Sequence, residues 1–100
     1  MIQHIVMLRL SENADPTELA EVMNSLASLD LPGFVGFQHG PNLDFERKTQ
    51  DYLYGFIATF TDAAAVADYA SDPGHQALGG RLVAMCDGGG DGIMVMDLDL

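Results

Sequence analysis

The sequence contains little or none of several residue types that particular functions require. It has one cysteine, no tryptophan and four Lys and Arg among its 100 residues. The lone Cys86 excludes an internal disulfide and a cysteine-based zinc site. No apolar run approaches the ~20 residues that cross a bilayer, and the segment Met1–His4 lacks the basic start of a signal peptide. We therefore expect a cytoplasmic protein that has no membrane partner.

The charge balance excludes another class of partner. Fifteen Asp and Glu against four Lys and Arg give a net charge of −11, and the basic residues are scattered along the chain. Such a protein repels the phosphate backbone, so we predict that it does not bind nucleic acid. An apolar content of 48% is enough for a folded core, whereas 100 residues are enough for one domain only. We therefore predict a single acidic domain over residues 1–100.

Turn residues and apolar periodicity predict the element order β-α-β-β-α-β. Asp15-Pro16 provides a cap and a first-turn proline for the first helix, and Asp72-Pro73 interrupts the second helix and restarts it. The predicted strands span 2–10, 34–39, 52–60 and 93–100, and the predicted helices span 16–29, 63–70 and 73–86. The glycine-rich segment 87–92 is predicted to be a flexible joint. This order is typical of the ferredoxin-like α+β fold, a four-stranded antiparallel sheet with helices on one face.

Apolar residues occupy both faces of the predicted strands. In the first strand Val6 and Leu8 share one face with His4, and Ile5 and Met7 lie on the other. Helices cover only one side of a ferredoxin-like sheet, so the other side of a monomer would expose a large hydrophobic patch. A second copy packed sheet against sheet is the simplest cover. We therefore predict a homodimer formed through the sheet face.

Three side chains are candidates for chemistry. His75 lies in the first turn of the restarted helix, on the same stripe as Leu78 and Leu82, so it points inward. The positive end of the helix dipole disfavours imidazolium there, which suits a general base. The break before Pro73 lets Tyr69 converge with His75 on one pocket between helices and sheet, and His4 on the helix-covered face is a candidate for its floor.

The same residues allow other interpretations. A histidine on an apolar face is commonly a core residue whose nitrogens are hydrogen bonded, and this applies to His4 in particular. His39, beside a Gly-Pro turn, is interpreted as a loop-edge residue. No metal-binding or cofactor-binding motif is present, so we predict neither group. Gly79-Gly80 within a helix suggests that this helix closely approaches another backbone or a ligand.

Several segments together resemble the stress-responsive dimeric α/β-barrel (Dabb) family. They are Ile2–Leu8, Gly40–Asn42, Tyr54–Phe60, Tyr69–His75 and Val95–Asp97, and the Tyr-to-His segment is the most specific of them. The resemblance covers nearly the whole chain. It implies a ferredoxin-like subunit whose sheet pairs with that of a second copy in a barrel-like homodimer. Most bacterial members of this family have no assigned activity.

The resemblance also bears on the site. Plant polyketide cyclases of the olivetolic acid cyclase type are similar, and they use a first-strand histidine with a tyrosine and a histidine around the helix break. The matching residues here are His4, Tyr69 and His75. Many relatives read His-Pro-x-His where this chain has Asp72-Pro73-Gly74-His75, so the role of the first of those histidines is absent.

Three functions are therefore open. The first is a homodimeric Dabb protein that binds a small apolar or aromatic ligand between helices and sheet, with no assigned activity. The second is a cofactor-independent enzyme of the polyketide cyclase, lyase or monooxygenase type. In that enzyme His75 would be the base, Tyr69 would orient or protonate an oxyanion and His4 would hold a carbonyl. The third is a purely structural dimeric subunit.

Overall fold

The chain folds into one antiparallel sheet with three α-helices on one of its faces. The structure is a computed structural model that describes all residues, Met1–Leu100. The strands are β1 (Ile2–Leu8), β2 (Phe34–Pro41), β3 (Tyr54–Phe60) and β4 (Ile93–Asp99), and the helices are α1 (Pro16–Ala27), α2 (Ala63–Ser71) and α3 (Pro73–Met85). The spatial strand order β2-β3-β1-β4 is that of the ferredoxin-like fold, which confirms the predicted fold class.

Each helix begins at an aspartate. The carboxylates of Asp15, Asp62 and Asp72 each accept a hydrogen bond of 2.8–2.9 Å from a backbone N–H in the first turn. Such a cap satisfies a donor that has no partner within the helix and stabilises the helix by about 1 kcal/mol. Local sequence therefore fixes where the helices start, as predicted.

Several predicted boundaries were wrong by one to two residues. Strand β1 ends at Leu8, because Leu10 forms only an isolated bridge with Cys86. Strand β2 continues to Pro41, because pairing with β3 persists through Gly40 and Pro41, where a turn was expected to end it. The segment predicted as a flexible joint forms a short 3-10 turn over Gly89–Gly92, where positive φ angles at Gly88 and Gly89 reverse the chain.

The core lies between the helices and one face of the sheet. It consists of alternate strand residues and the apolar stripes of the helices, among them Val6, Leu8, Val22, Met23, Leu26, Phe56, Ala58, Phe60, Tyr69, Leu78 and Leu82. The close approach to another backbone that was expected at Gly79-Gly80 is absent within the subunit, because an added Cβ at either glycine has no neighbouring atom within 4 Å. None of the helices has the length and hydropathy needed to cross a membrane.

The side of the sheet away from the helices, here called the outer face, is largely apolar. It carries the residues Ile5, Met7, Ile57, Met94, Met96 and Leu98. Met96 and Leu98 are each 45% exposed in the isolated subunit. The predicted two-faced apolar character of the sheet is thus present in the folded chain, and such a patch is typical of an interaction surface.

Candidate functional site

The bend between α2 and α3 brings Tyr69 and His75 into direct contact. Asp72 is both the residue that ends α2 and the N-cap of α3, where its side chain accepts from the backbone N–H of His75 at 2.8 Å. Proline at position 73 excludes helical continuation through Asp72 and fits the first position of the new helix. The two rings consequently lie 3.8 Å apart between centroids, with an interplanar angle of 31°.

Tyr69 is enclosed by other rings. Its side chain is 1% exposed, and the ring centroids of Phe60, Phe34 and His4 lie 5.0, 5.8 and 5.7 Å away. The buried phenolic Oη has no hydrogen-bond partner within the chain. Burial raises the pKa of the Tyr69 hydroxyl well above its usual value, so the phenol stays protonated and remains able to donate.

His4, on β1, packs against the Tyr69 ring. It lies on the helix-covered face as predicted, edge-on to both Tyr69 and Phe60. Its Nδ1 is 2.7 Å from Oδ1 of Asp97, a residue that sequence reasoning did not select for the site. The two residues are direct partners across β1 and β4. A correct prediction of the register between β1 and β4 would have indicated this pair, because that register places Asp97 on the helix-covered face.

His75 is partly buried and disposed to remain neutral. Its Nδ1 is a second buried polar atom without a hydrogen-bond partner. Desolvation lowers the pKa of His75 below the ordinary histidine value, and the nearby His4 lowers it further. The backbone carbonyls of Tyr69 and Ala70 and the carboxylate of Asp72 act in the opposite direction and compensate only in part.

The structure thus brings together all three predicted site residues, and it adds Asp97. Tyr69 shares the buried face of α2 with Ala65, and Ala70 is exposed. No open pocket surrounds Tyr69 in the isolated subunit, because the aromatic rings fill the space between helix and sheet. The three main depressions of the surface lie elsewhere.

His39 takes part in a separate contact. It lies within β2, whereas it was predicted at a loop edge, and its Nδ1 is 2.6 Å from Oη of Tyr54. The pair is at the exposed end of the sheet near Phe37 and does not contact Tyr69. No group of three His, Cys, Asp or Glu side chains is arranged to hold a metal ion.

The arrangement offers specific chemical capabilities. A protonated phenol and a neutral imidazole present two unsatisfied polar atoms inside an aromatic enclosure, each of which costs about 1–3 kcal/mol if left unpaired. A ligand hydroxyl satisfies both when Nδ1 is unprotonated, because it accepts from the phenol and donates to the imidazole, whereas a ligand carbonyl only accepts and satisfies the phenol. The carboxylate of Asp97 favours the proton on Nδ1 of His4 and so leaves the other ring nitrogen as an acceptor.

Comparison with known proteins identifies relatives over the full length. A dimeric ferredoxin-like protein of unknown function from a Jannaschia species is 48% identical, covering 99% of this chain and 98% of that chain, with a TM-score of 0.93. A Dabb family protein with a ferredoxin-like fold from Mesorhizobium loti is 23% identical, covering 99% and 95%, with a TM-score of 0.77. SnoaB, a cofactor-independent oxygenase from Streptomyces nogalater, is 18% identical, covering 99% and 91%, with a TM-score of 0.71.

No curated protein matches the chain. The family model for the stress responsive A/B barrel domain matches residues 2–100. This match includes every residue of the site described above, and the fold of the Mesorhizobium protein agrees with it. The chain therefore belongs to the stress responsive A/B barrel (Dabb) family.

Proposed function

We propose that the protein is a homodimer that binds a small ligand with an aromatic or apolar body and one hydroxyl or carbonyl group. Three buried side-chain polar atoms have no hydrogen-bond partner, and two of them, Oη of Tyr69 and Nδ1 of His75, belong to the stacked rings and carry the proposal. The third, Nε of Arg9, lies outside the site. Buried polar groups are nearly always hydrogen bonded, so two such orphans on stacked rings favour a partner that comes from outside the chain.

The surroundings of the two atoms suit such a ligand. Rings of Phe34 and Phe60 flank Tyr69, which favours a flat or apolar body, and the polar tips favour one polar group on it. The space is filled in the isolated subunit, so binding requires the α2–α3 bend to move away from the sheet. A ligand then regains the hydrogen bonds that the closed state lacks.

The homodimer is supported by the apolar outer face. Met96 and Leu98 are large side chains at 45% exposure on a contiguous apolar surface. The Jannaschia relative, at 48% identity, is a dimeric protein. Since a soluble subunit gains free energy by covering such a patch, a second copy is the simplest partner.

The buried thiol of Cys86 is compatible with a reducing compartment, and the cytoplasmic location stays a prediction.

Titration with phenol and with toluene tests the ligand proposal. Both fit an aromatic enclosure, but only phenol carries a hydroxyl. We expect millimolar phenol to shift the backbone amide NMR signals around Tyr69 and His75, whereas toluene causes smaller shifts. The variant Tyr69→Phe should lose the phenol response, and the matched variant Tyr54→Phe should keep it. Equal responses to the two compounds in all three proteins would contradict the proposal.

Acid–base catalysis is a second candidate, favoured by the His4–Asp97 pair beside a neutral His75. His75 would take a proton from a carbon next to a carbonyl, and the Tyr69 phenol would donate a hydrogen bond to the resulting enolate oxygen. Deuterium exchange at the methyl group of acetophenone in D2O, followed by NMR, tests it. We expect acceleration that His75→Ala abolishes. The fold shared with SnoaB at 18% identity does not bear on this chemistry.

A purely structural subunit is the remaining alternative. In that case His75→Ala lowers the stability of the dimer but changes no response to phenol or acetophenone. The phenol titration and the acetophenone exchange measurement together separate the three functions.

A further inference from the structure

The helix-side face of β4 is open to solvent. Val95 lies on this face, because it pairs with the buried Val6, yet it is 49% exposed. Asp97 follows two residues later on the same face, and its side chain is 48% exposed. Asp97 contacts His4, which in turn packs against Tyr69. The open face of β4 therefore leads to the Tyr69–His75 site across Asp97.

The helix α3 leaves room on the same side. Gly79 is four residues from His75, so the two share one helix face. Gly79 is half-buried, and an added Cβ there has no neighbouring atom within 4 Å. Arg81, on the opposite flank of the helix, binds Glu18 of α1. The gap at Gly79 thus lies on the flank away from α1, beside His75, where the body of a ligand finds space.

The charged side chains at this opening are acidic. Oδ1 of Asp97 contacts Nδ1 of His4 at 2.7 Å, whereas Oδ2 of Asp97 has no partner. The carboxylate of Asp72 caps α3 directly beside His75. A ligand that enters here meets two carboxylates, and one of them has a free oxygen.

The basic side chains of the protein lie elsewhere. Arg81 is held by two glutamates on α1, and Arg9 donates to the backbone of Asp91. Arg47 and Lys48 belong to the connection between β2 and β3. No Lys or Arg therefore compensates an anionic ligand at the site, and the net charge of −11 opposes its approach.

We propose that the ligand is a phenol that carries an ammonium group, and that Asp97 binds this ammonium group. The inference rests on the proposed function and adds the charge of the ligand. The ligand hydroxyl accepts from Oη of Tyr69 and donates to Nδ1 of His75, the two buried atoms without partners. The ammonium group donates to the free Oδ2 of Asp97 in a charge-assisted hydrogen bond.

The spacing of the two ends defines the size of this ligand. His4 contacts both the Tyr69 ring and the Asp97 carboxylate, so one imidazole ring separates them. A benzene ring with a two-carbon arm spans such a separation. Tyramine, which is 4-(2-aminoethyl)phenol, is therefore the test compound. 4-Propylphenol has the same shape without charge, and 4-hydroxyphenylacetate carries a negative charge in the same region.

NMR titration with these three phenols at pH 7.5 tests the inference. We expect wild-type protein to bind tyramine and 4-propylphenol and to bind 4-hydroxyphenylacetate more weakly than either. Asp97→Asn removes the charge but keeps a side-chain oxygen that accepts from His4. The ratio of the tyramine dissociation constant to that of 4-propylphenol should rise about fivefold in this variant, because only tyramine loses an ion pair. A purely structural role of Asp97 would change both constants by the same factor.

Two further measurements control this result. Asp51→Asn removes the same charge at an exposed position between β2 and β3, and it should leave the ratio at the wild-type value. The carboxyl ¹³C signal of Asp97 in wild-type protein should shift with tyramine but not with 4-propylphenol. This second measurement needs no variant, so it decides the question even if Asp97→Asn does not fold.

The outcomes separate the inference from the proposed function. Absence of binding by all three phenols in wild-type protein overturns the proposed function and the inference with it. Binding of 4-propylphenol, with a ratio that is unchanged in Asp97→Asn or raised equally in Asp51→Asn, overturns the inference alone. A static Asp97 carboxyl signal in the presence of bound tyramine does the same. A ratio that rises only in Asp97→Asn supports the inference.

Discussion

Nδ1 of His4 lies 2.7 Å from Oδ1 of Asp97, and this contact joins the first and last strands of the sheet beside the buried ring of Tyr69. Asp97 is half exposed, whereas His4 is largely covered. The carboxylate therefore orients the imidazole from the solvent side, and the ring meets the aromatic cluster edge-on. Residues 93 positions apart in sequence are in contact only because β1 and β4 are neighbours.

This contact predicts the tautomer of His4. We expect the neutral imidazole to carry its proton on Nδ1, because the carboxylate of Asp97 accepts it. Two-bond ¹H–¹⁵N correlation spectra distinguish the tautomers. Asp97→Leu should shift His4 toward the Nε2–H form, which is the commoner form of free histidine. Unchanged His4 signals in this variant would show that the contact does not determine the tautomer.

Removal of the Tyr69 hydroxyl is expected to stabilise the protein. The buried Oη has no partner, so Tyr69→Phe relieves a desolvation cost of about 1 kcal/mol and leaves the ring packing intact. Tyr69→Ala, in contrast, should cost about 3–5 kcal/mol, because it removes a fully buried ring. Urea unfolding measures both changes. A loss of more than about 1 kcal/mol in Tyr69→Phe would mean that the hydroxyl has a partner within the folded protein.

His75 makes stability depend on pH in a defined direction. Because its folded-state pKa is lowered, the unfolded chain takes up a proton first as the pH falls. The stability that the neutral ring contributes is fully present above pH 6.5, the ordinary pKa of histidine. It is lost as the pH falls from 6.5 through the lowered pKa of His75. We expect His75→Gln to unfold with a smaller change in Tm between pH 8 and pH 5. Gln76→Ala, one position away and not titratable, should keep the wild-type change.

The bend depends on the Asp72 side chain. Asp72→Ala leaves the backbone N–H of His75 without an acceptor, so it should cost about 1 kcal/mol and loosen the stacking of His75 on Tyr69. Urea unfolding gives the first effect, and reduced upfield ring-current shifts of the His75 protons give the second. Asp68→Ala, an exposed change on α2, should cost less than about 0.5 kcal/mol and leave these shifts unaltered.

Cys86 should be unreactive in the folded protein. Its thiol is buried, and burial together with the nearby Asp87 raises its pKa, so little thiolate forms at neutral pH. We expect Ellman's reagent to titrate the thiol only after unfolding in urea. A Cys86→Ala/Gly90→Cys variant, with its thiol at an exposed glycine, should react at once. Immediate reaction of the native wild-type protein would contradict the expectation.

The elements of the fold were predictable because their signals are local. Asp15-Pro16 and Asp72-Pro73 specify helix starts through capping and restricted φ, which operate within one turn. The ends of the strands were less predictable, since a strand ends where its pairing with a distant segment ends. Strand β2 continues through Gly40 because β3 provides hydrogen-bond partners, and no pattern within β2 indicates this.

The candidate site was predictable in part for the same reason. The proximity of Tyr69 and His75, six positions apart, follows from the helix break at Asp72, and the side of the sheet taken by His4 follows from strand alternation. Asp97 was missed because its role depends on the exact register between β1 and β4. The filled interior of the site was missed as well, since only three-dimensional packing shows that the Phe34 and Phe60 rings lie against Tyr69 where a pocket was expected.

The amino-acid sequence by itself determined the acidic charge, the strand and helix order and the two-faced apolar sheet, because composition, capping and alternation are properties of neighbouring residues. Tertiary structure alone decided which distant side chains meet: Asp97 with His4, and the Phe34 and Phe60 rings with the Tyr69 ring. These relationships arise when segments far apart in the chain are fixed in register, and register is set by the packing of the whole domain.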